Sequence, residues 1–255
     1  MPGLENDVRT LIAGNWKMNG SRAMLAELDR IAEAASAHPD IDVAIAPPFT
    51  LLGDAQTHAG PVWIGGQDCH PAAQGAHTGC ISAGMLVEMG ARFVICGHSE
   101  RRAEFGETDP LIRAKAEAVQ AAGLVAIVCI GEDESERDEG RAVEVVACEL
   151  DGSVPPASTP DNLVVSYEPA WAIGTGRVPT FDQICEIHSM IRAKLIQLLG
   201  VPGAGVRILY GGSVNAGNAA SILACPHVNG ALIGGASLTA DQFVPVIEIA
   251  ANVSQ

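Results

Sequence analysis

A glutamate at the end of a mostly apolar run is the first residue of this chain whose setting suggests chemistry. Residues 163–166 lead into Tyr167, Glu168 and Pro169, and the loop that follows ends in the Gly-Thr-Gly segment 174–176. The proline stiffens the start of this loop and the glycines loosen its end. Loops with such hinges commonly close over a site in which a carboxylate acts as a general base. Taken alone, the segment fits a surface loop with a solvated glutamate equally well.

An amide and a cation follow another apolar run, near the N-terminus. Only Trp16 separates Asn15 from Lys17. Because side chains alternate along a strand, Asn15 and Lys17 are expected to face the same way. A lysine near a strand end is usually a surface residue, so this pair by itself is a weak indication of a site.

A histidine occupies the corresponding place after a third apolar run. His98 precedes the polar segment 99–102, which is typical of the first turn of a helix. If the amides of that turn point at the imidazole, they disfavour its protonated form and leave a neutral electrophile near pH 7. A lone histidine in such a place is more often a structural residue. No two of the seven histidines have the spacing of metal ligands.

Two glycine pairs near the C-terminus favour an anion site. Gly211 and Gly212 precede Ser213, and Gly234 and Gly235 follow the next apolar run. Glycines let backbone N–H groups approach a phosphate closely, although one such pair is commonly only a tight turn. Two of them, after the last two runs of the chain, are a stronger indication.

Eight short apolar runs must position these residues. Because they are apolar throughout rather than alternating, they are typical of strands covered on both faces, as in parallel sheets. Helical patterns lie between most of them, so we predict a single α/β domain over residues 1–255, a closed (β/α)8 TIM barrel, with an open doubly wound sheet as the alternative. The predicted strands are 10–15, 42–48, 62–68, 93–98, 124–132, 163–168, 207–213 and 230–235.

Two helical patterns and two unusual segments complete the organisation. Segment 109–121 begins with an acid and a proline, and 184–198 carries isoleucines and leucines at helical spacing on one face. The proline-rich stretch 151–160 is interpreted as an ordinary loop between a helix and a strand rather than a domain boundary. The acidic run 132–139 lacks a metal ligand set of defined geometry and is interpreted as a solvated face.

Composition excludes several classes of protein. Hydrophobic residues make up 48% of the 255, which excludes a disordered chain, yet no apolar stretch is long enough to cross a membrane. The net charge of −15 argues against a nucleic-acid-binding surface. The acidic N-terminus does not resemble a secretory signal. The seven cysteines include no CxxC pair, which argues against a disulfide framework or a zinc site. We therefore expect a cytoplasmic protein in a reducing compartment.

Together the polar residues supply a base, an electrophile, a cation, a phosphate-binding backbone and a lid. The chain has no nucleophile elbow, Walker loop or metal constellation. Proton abstraction beside a carbonyl, in a small phosphorylated substrate, is the reaction class that uses all five parts.

At this point the chain resembles the triosephosphate isomerase family, in order from about residue 11 to residue 238. The resemblance implies a TIM barrel that interconverts dihydroxyacetone phosphate and glyceraldehyde 3-phosphate without a cofactor. A lid over 169–179 would close to exclude water and hold back loss of phosphate from the enediolate. The segments that carry the resemblance are 15–19, 97–102, 167–176, 210–214 and 234–235.

The same resemblance implies a role for each site residue. Glu168 would move the proton between two carbons, while His98 would polarise the carbonyl and shuttle protons among the enediolate oxygens. Lys17 would offset the developing negative charge and the phosphate. Asn15 would donate to a substrate oxygen, and Glu100 would support the site by hydrogen bonding. Backbone N–H groups of four residues would bind the phosphate: Gly174, Ser213, Gly234 and Gly235.

The family is typically dimeric, so the resemblance also implies a homodimer. Loop 74–79 matches the one that enters the neighbouring subunit, where Thr78 would reach toward the partner subunit's Asn15 and His98. Composition alone supports only an ordinary loop at this place.

Three residues depart from the family pattern. Cys80 stands where the family usually has an acid that pairs with the arginine matching Arg101 across the interface, so we predict a weaker or thiol-sensitive dimer. Pro179 stands where a backbone N–H often binds the tyrosine matching Tyr210, and proline has no N–H. Ala170 replaces a commoner valine, a change expected to be minor.

Other functions are kept as alternatives. One is another phosphate-binding barrel enzyme, such as a sugar-phosphate epimerase, an indole-forming synthase or an aldolase. An aldolase would need a Schiff-base lysine on a middle strand, and the chain has none there. A non-catalytic binding scaffold is the other, and the presence of Lys17, His98 and Glu168 argues against it.

Overall fold

A closed barrel of eight parallel strands forms the centre of the molecule. The computed structural model describes residues 8–172, 177 and 179–253. Each strand pairs with the next along the chain, and the last pairs with the first. The strands are β1 (Leu11–Asn15), β2 (Asp42–Ala46), β3 (Trp63–Gly66), β4 (Phe93–Cys96), β5 (Val125–Ile130), β6 (Leu163–Tyr167), β7 (Arg207–Tyr210) and β8 (Gly230–Ile233).

The closed barrel predicted from the apolar runs is confirmed, and the open doubly wound sheet is wrong because Leu11–Gly14 of β1 pair with 230–233 of β8. Each observed strand lies within one predicted run, but most end one to three residues earlier. The polar and glycine residues at the ends of the runs leave the sheet and form the loops at the barrel mouth, which is where the predicted site residues stand.

Helices surround the barrel between successive strands. The predicted helix 109–121 is found with those bounds. The helix Phe181–Leu199 buries Ile184, Ile187, Ile191 and Leu195 along its inner face, as their spacing predicts. The helices of the described residues are α1 (Leu25–Ala37), α2 (Leu52–Ala55), α3 (Ala83–Glu88), α4 (Ser99–Phe105), α5 (Asp109–Ala121), α6 (Glu134–Asp138), α7 (Ala142–Ser153), α8 (Phe181–Leu199), α9 (Ala219–Leu223) and α10 (Ala240–Val253).

The strands are buried on both faces, as expected of a parallel barrel. Phe93, Ile127 and Leu209 are among the side chains that fill the interior, and a larger apolar layer lies between the strands and the helices. Cys96 and Cys129 are buried free thiols in these layers, as their apolar runs predict. Within the described ranges, none of the helices combines the length and the apolar character that a membrane span requires.

Two expectations need correction. Glu132, placed on a solvated face by the sequence, is fully buried, because it accepts hydrogen bonds from the barrel side chain Tyr167 and from Trp171. The cysteines were expected to form no disulfide framework, yet Cys185 of α8 is joined to Cys225 beyond α9, which helix packing brings together. The proline-rich stretch is an ordinary connection between α7 and β6, as interpreted.

Candidate active site

The strand ends bring most of the predicted site residues around one cavity of about 410 Å³ at the barrel mouth. This volume suits a small ligand. Asn15 comes from β1, His98 from the end of β4 and Glu168 from the end of β6. The cavity is also lined by Lys17, Ser213, Gly234 and Gly235.

One carboxylate oxygen of Glu168 accepts a hydrogen bond and the other has no hydrogen-bond partner among the described residues. Its Oε2 accepts a hydrogen bond of 2.9 Å from the backbone N–H of Ser99 at the start of α4. Oε1 is buried without a hydrogen-bond partner and lies 3.5 Å from Nε2 of His98. The residue is only 1% exposed, so this oxygen is a poorly hydrated carboxylate oxygen at the wall of the cavity.

Two glycines pack directly against Glu168, where any larger residue would collide with it. A Cβ atom on Gly211 would stand 2.6 Å from Cγ of Glu168, and one on Gly131 would stand 1.8 Å from its carbonyl oxygen. Both distances are shorter than any non-bonded contact, so only glycine fits. Cys129 also lies beside the carboxylate, and burial, followed by the charge of Glu168, raises the pKa of its thiol.

His98 is the N-cap of α4, as the polar segment after it predicts. Its Nδ1 accepts a hydrogen bond of 3.2 Å from the backbone N–H of Glu100. An imidazole nitrogen that accepts a hydrogen bond carries no hydrogen, so this geometry leaves Nε2 as the ring nitrogen available to donate. Nε2 is also the nitrogen nearer the carboxylate, 3.5 Å from Oε1 of Glu168.

Lys17 is held in an uncommon backbone conformation, with φ of 53°. Its N–H donates to Oδ1 of Asn15 at 3.0 Å, and its carbonyl accepts from Nε2 of Gln67 at 2.9 Å. Non-glycine residues with positive φ persist where surrounding contacts over-determine them, and they cluster at functional sites. Gln67 was not predicted as a site residue. The one signal for it in the sequence is its position near the end of the third apolar run.

Glu100 lies next to the cation, as a supporting residue would. Its Oε1 is 2.6 Å from Nζ of Lys17, and its Oε2 is 3.7 Å from Nδ1 of His98. The carboxylate is 52% exposed, so the Lys17 pair is a modest interaction that an anionic ligand can displace.

The glycine loops after β7 and β8 form the opposite wall of the cavity. The carbonyl of Ser213 is fixed by a hydrogen bond of 2.9 Å from Nδ2 of Asn218. A Cβ atom on Gly234 would lie 3.3 Å from Cε of Lys17, so the cation reaches this wall. Backbone N–H groups next to a lysine are a suitable environment for a phosphate.

The loop after Glu168 begins on a buried polar cluster. Oε1 of Glu132 accepts from the Tyr167 hydroxyl at 3.1 Å and from Nε1 of Trp171 at 2.9 Å. Burial raises the pKa of Tyr167 and of Tyr210, and the Tyr210 hydroxyl has no partner among the described residues. Gly174 and most of the rear of the lid, 173–176 and 178, lie outside the described residues.

Thr78 is not brought to the cavity of its own chain. It stands in the exposed segment 73–80, between β3 and α3, and does not line the cavity. A second cavity of about 580 Å³ opens beside the site and is lined by Lys17, His98, Glu100 and the largely exposed Met18 and Phe105.

Within the described residues, no group of three His, Cys, Asp or Glu side chains is arranged to hold a metal ion.

Comparisons with known proteins agree with this architecture. The family model described as triosephosphate isomerase matches residues 10–250. The triosephosphate isomerase of Afipia carboxidovorans is 56% identical over 251 residues, which are 97% of this chain and 99% of that protein. That of Rhodopseudomonas palustris is 52% identical over 94% of this chain and 96% of its own length. The crystal structure of the Bartonella henselae triosephosphate isomerase superposes with a TM-score of 0.89 at 43% identity, covering 95% of this chain and 99% of that one.

Proposed function

Because the chain belongs to the triosephosphate isomerase family, we propose that Glu168 and His98 carry out the proton transfers of the family's reaction. The protein is an isomerase that interconverts dihydroxyacetone phosphate and glyceraldehyde 3-phosphate. The observation that carries the assignment of residues is the buried, unpartnered Oε1 of Glu168, which lies 3.5 Å from Nε2 of His98.

The reaction begins with the transfer of a proton from the carbon next to the carbonyl of the substrate to Oε1 of Glu168. The electron pair of the broken C–H bond moves into the enediolate, whose oxygen becomes negative. The Nε2 hydrogen of the neutral His98 donates to that oxygen, and Asn15 donates to the substrate as well. His98 gives its Nε2 hydrogen to that oxygen and takes up the hydroxyl hydrogen of the other enediolate oxygen, which becomes the new carbonyl oxygen. Glu168 returns its proton to the neighbouring carbon, so both residues regain their starting states and no atom is gained or lost.

Lys17 and the glycine loops bind the charged end of the substrate. Lys17 opposes the charge on the phosphate and on the enediolate, and the N–H groups of Ser213, Gly234 and Gly235 bind phosphate oxygens. A substrate dianion competes with Glu100 for Lys17, and the exposure of that ion pair makes the exchange inexpensive. Gly174 is included in the phosphate site by its match to the family motif.

Shortening the base tests these roles. Glu168→Asp withdraws the carboxylate by about one bond length, and a misplacement of about 1 Å costs roughly 100-fold in rate. We expect kcat for glyceraldehyde 3-phosphate in a coupled assay to fall at least about 100-fold with a small change in KM. Glu186→Asp, at an exposed position of α8, is the control and should match the wild type. Equal rates for the wild type and Glu168→Asp would overturn the assignment.

The active protein is further proposed to be a homodimer. The exposed segment 73–80 supports this, as does the neighbouring cavity with its apolar rim of Met18 and Phe105, which are 97% and 62% exposed. Large exposed apolar side chains grouped around a concavity are typical of protein interfaces. In the dimer, Thr78 of one subunit enters this cavity of the other and reaches the partner subunit's Asn15 and His98.

The protein is further proposed to be a single domain that works in the cytoplasm. The strands of one barrel extend from Leu11 to Ile233, which supports one domain over 1–255. Five of the seven cysteines are free thiols and a single disulfide joins the other two, so most of the thiols fit a reducing compartment. The substrates are small phosphorylated metabolites.

A further inference from the structure

A partly buried arginine on α4 contacts the backbone after β4 and the backbone of β5. Arg102 lies on α4, and its Nε donates to the carbonyl of Gly97 at 3.1 Å, directly before His98. Its Nη2 donates to the carbonyl of Cys129 on β5 at 3.0 Å. The guanidinium therefore fixes the end of β4, the start of α4 and β5 with respect to one another.

A glutamate on another helix continues this connection toward the base. Glu149 of α7 lies 3.2 Å from Nη1 of Arg102 through its Oε1. Its Oε2 accepts a hydrogen bond of 2.7 Å from the backbone N–H of Gly131, at the end of β5. Gly131 is packed so closely against the carbonyl of Glu168 that a Cβ atom there would be 1.8 Å from the oxygen. A shift of Gly131 would thus displace the backbone of Glu168.

We propose that Arg102 and Glu149 are positioning residues for the isomerisation, which together set the distance between His98 and Glu168. This proposal rests on the roles proposed above for those two residues. Neither Arg102 nor Glu149 lines the substrate cavity, so they act only through the backbone they hold. The two strand ends are joined by hydrogen bonds to charged groups, which are stronger than bonds between neutral groups.

Several charged groups face Glu149, and they make its charge sensitive to pH. The pKa of Glu149 is raised to about 7, mainly by burial. The charges of Asp109 on α5 and Glu136 on α6 contribute to this rise, while Arg102 and the N–H of Gly131 partly offset it. Arg102 is also held by Asp109, whose Oδ1 is 2.6 Å from Nη1. Protonation of Glu149 near neutrality therefore weakens its ion pair with Arg102, which stays paired with Asp109. The link from Arg102 through Glu149 to Gly131, at the end of β5, is weakened as a result.

The variant Glu149→Gln tests the proposal because it keeps the shape of the side chain and removes its charge. We would measure kcat and KM for wild type and variant from pH 6 to pH 9 and take the ratio of the two kcat values, which cancels titrations that they share. A displacement well below 1 Å is expected to cost roughly tenfold in kcat. The ratio should thus rise from about two at pH 6 to roughly ten above pH 8, with a midpoint near pH 7 and little change in KM.

A purely structural role gives a different result. A ratio that does not change with pH, even with a lowered melting temperature, would overturn the proposal, as would equal kcat values throughout. Glu139→Gln removes an exposed carboxylate paired with Arg141 after α6, and it should match the wild type at every pH. These outcomes are independent of Glu168→Asp, whose failure would instead overturn the assignment of the base.

Asp109→Asn provides a second test that does not require Glu149 to be changed. The charge of Asp109 raises the pKa of Glu149, so its removal should move the midpoint of the kcat profile to lower pH. A midpoint that stays in place or moves upward would contradict the proposal even if Glu149→Gln does not fold.

Discussion

The first two backbone N–H groups of α4 hold the side chains of His98 and Glu168 in place. The N–H of Ser99 binds one oxygen of Glu168, and the N–H of Glu100 binds Nδ1 of His98. One short helix thus orients both the carboxylate and the imidazole. The remaining atoms, Oε1 of Glu168 and the Nε2 hydrogen of His98, are left for the substrate.

The absence of a side chain at Gly211 is a residue-scale requirement of the same site. In Gly211→Ala the added Cβ would meet Cγ of Glu168 at 2.6 Å and Oγ of Ser166 at 2.7 Å. Overpacking of this kind costs about 1–3 kcal/mol, and here relief requires Glu168 to move. We expect kcat to fall roughly tenfold or more in the coupled assay, together with a lower melting temperature. Gly53→Ala, at an exposed helical position with its nearest neighbour 3.4 Å away, should change neither quantity. An unchanged kcat for Gly211→Ala would show that Glu168 is not held at this wall.

At the scale of elements, α8 packs a neutral histidine against the barrel. His188 is fully buried, and its ring stands nearly perpendicular to that of Tyr167 at 5.9 Å between centroids. Its Nδ1 donates to the carbonyl of His227. Burial lowers the pKa of His188 to about 3 from 6.5. The packing of α8 therefore depends on an uncharged imidazole.

This packing predicts a specific loss of stability in acid. The unfolded chain binds a proton at His188 below pH 6.5 while the folded protein does so only near pH 3, so stability is present above pH 6.5 and falls as the pH drops toward 3. Between pH 7 and pH 5 this group contributes a loss of about 2 kcal/mol. Urea unfolding of wild type and His188→Gln at equal protein concentration should show a shallower pH dependence for the variant. Parallel curves would contradict the assignment.

Local sequence patterns predict the strands and helices of this molecule, but not the contacts between distant elements. The strands and α5 follow from apolar periodicity and helix-start residues, which are local signals, and the site residues follow from their places at strand ends. Glu132 could not be predicted as buried, because its partners Tyr167 and Trp171 come from another strand and the loop after it. Arg102 and Glu149 meet only because α4 and α7 flank the same strand, and nothing in the sequence near either residue indicates the other.

At the scale of the whole molecule, the contacts of Arg101 explain how the chain accommodates Cys80 where the family usually has an acid. Arg101, which the family pattern would pair with an acid of the other subunit, is paired within its own chain, at 2.8 Å from Asp68 and 2.7 Å from Glu107. Losing the acid at position 80 therefore leaves no unpaired arginine. Cys80 itself is an exposed free thiol in the segment proposed to enter the partner subunit.

Alkylation of this thiol is expected to separate the subunits. Treatment with a maleimide at nanomolar protein concentration should convert a dimer into a monomer by mass measurement, because the adduct cannot enter the cavity beside the site. Cys148 is also exposed, so the experiment uses Cys148→Ser, with Cys80→Ser in the same background as the control that stays dimeric. A dimer that persists after Cys80 has reacted would refute the thiol sensitivity.

The claim that Glu168 carries the proton is tested most directly by hydrogen exchange into the substrate. Dihydroxyacetone phosphate incubated in D2O with the wild type should gain deuterium at the carbon that loses its proton, as seen by NMR, because the proton held on Glu168 exchanges with solvent. In Glu168→Asp both the exchange and the isomerisation should fall by the same factor, at least about 100-fold. Exchange that continues at the wild-type rate in this variant while isomerisation falls would mean that another group removes the proton.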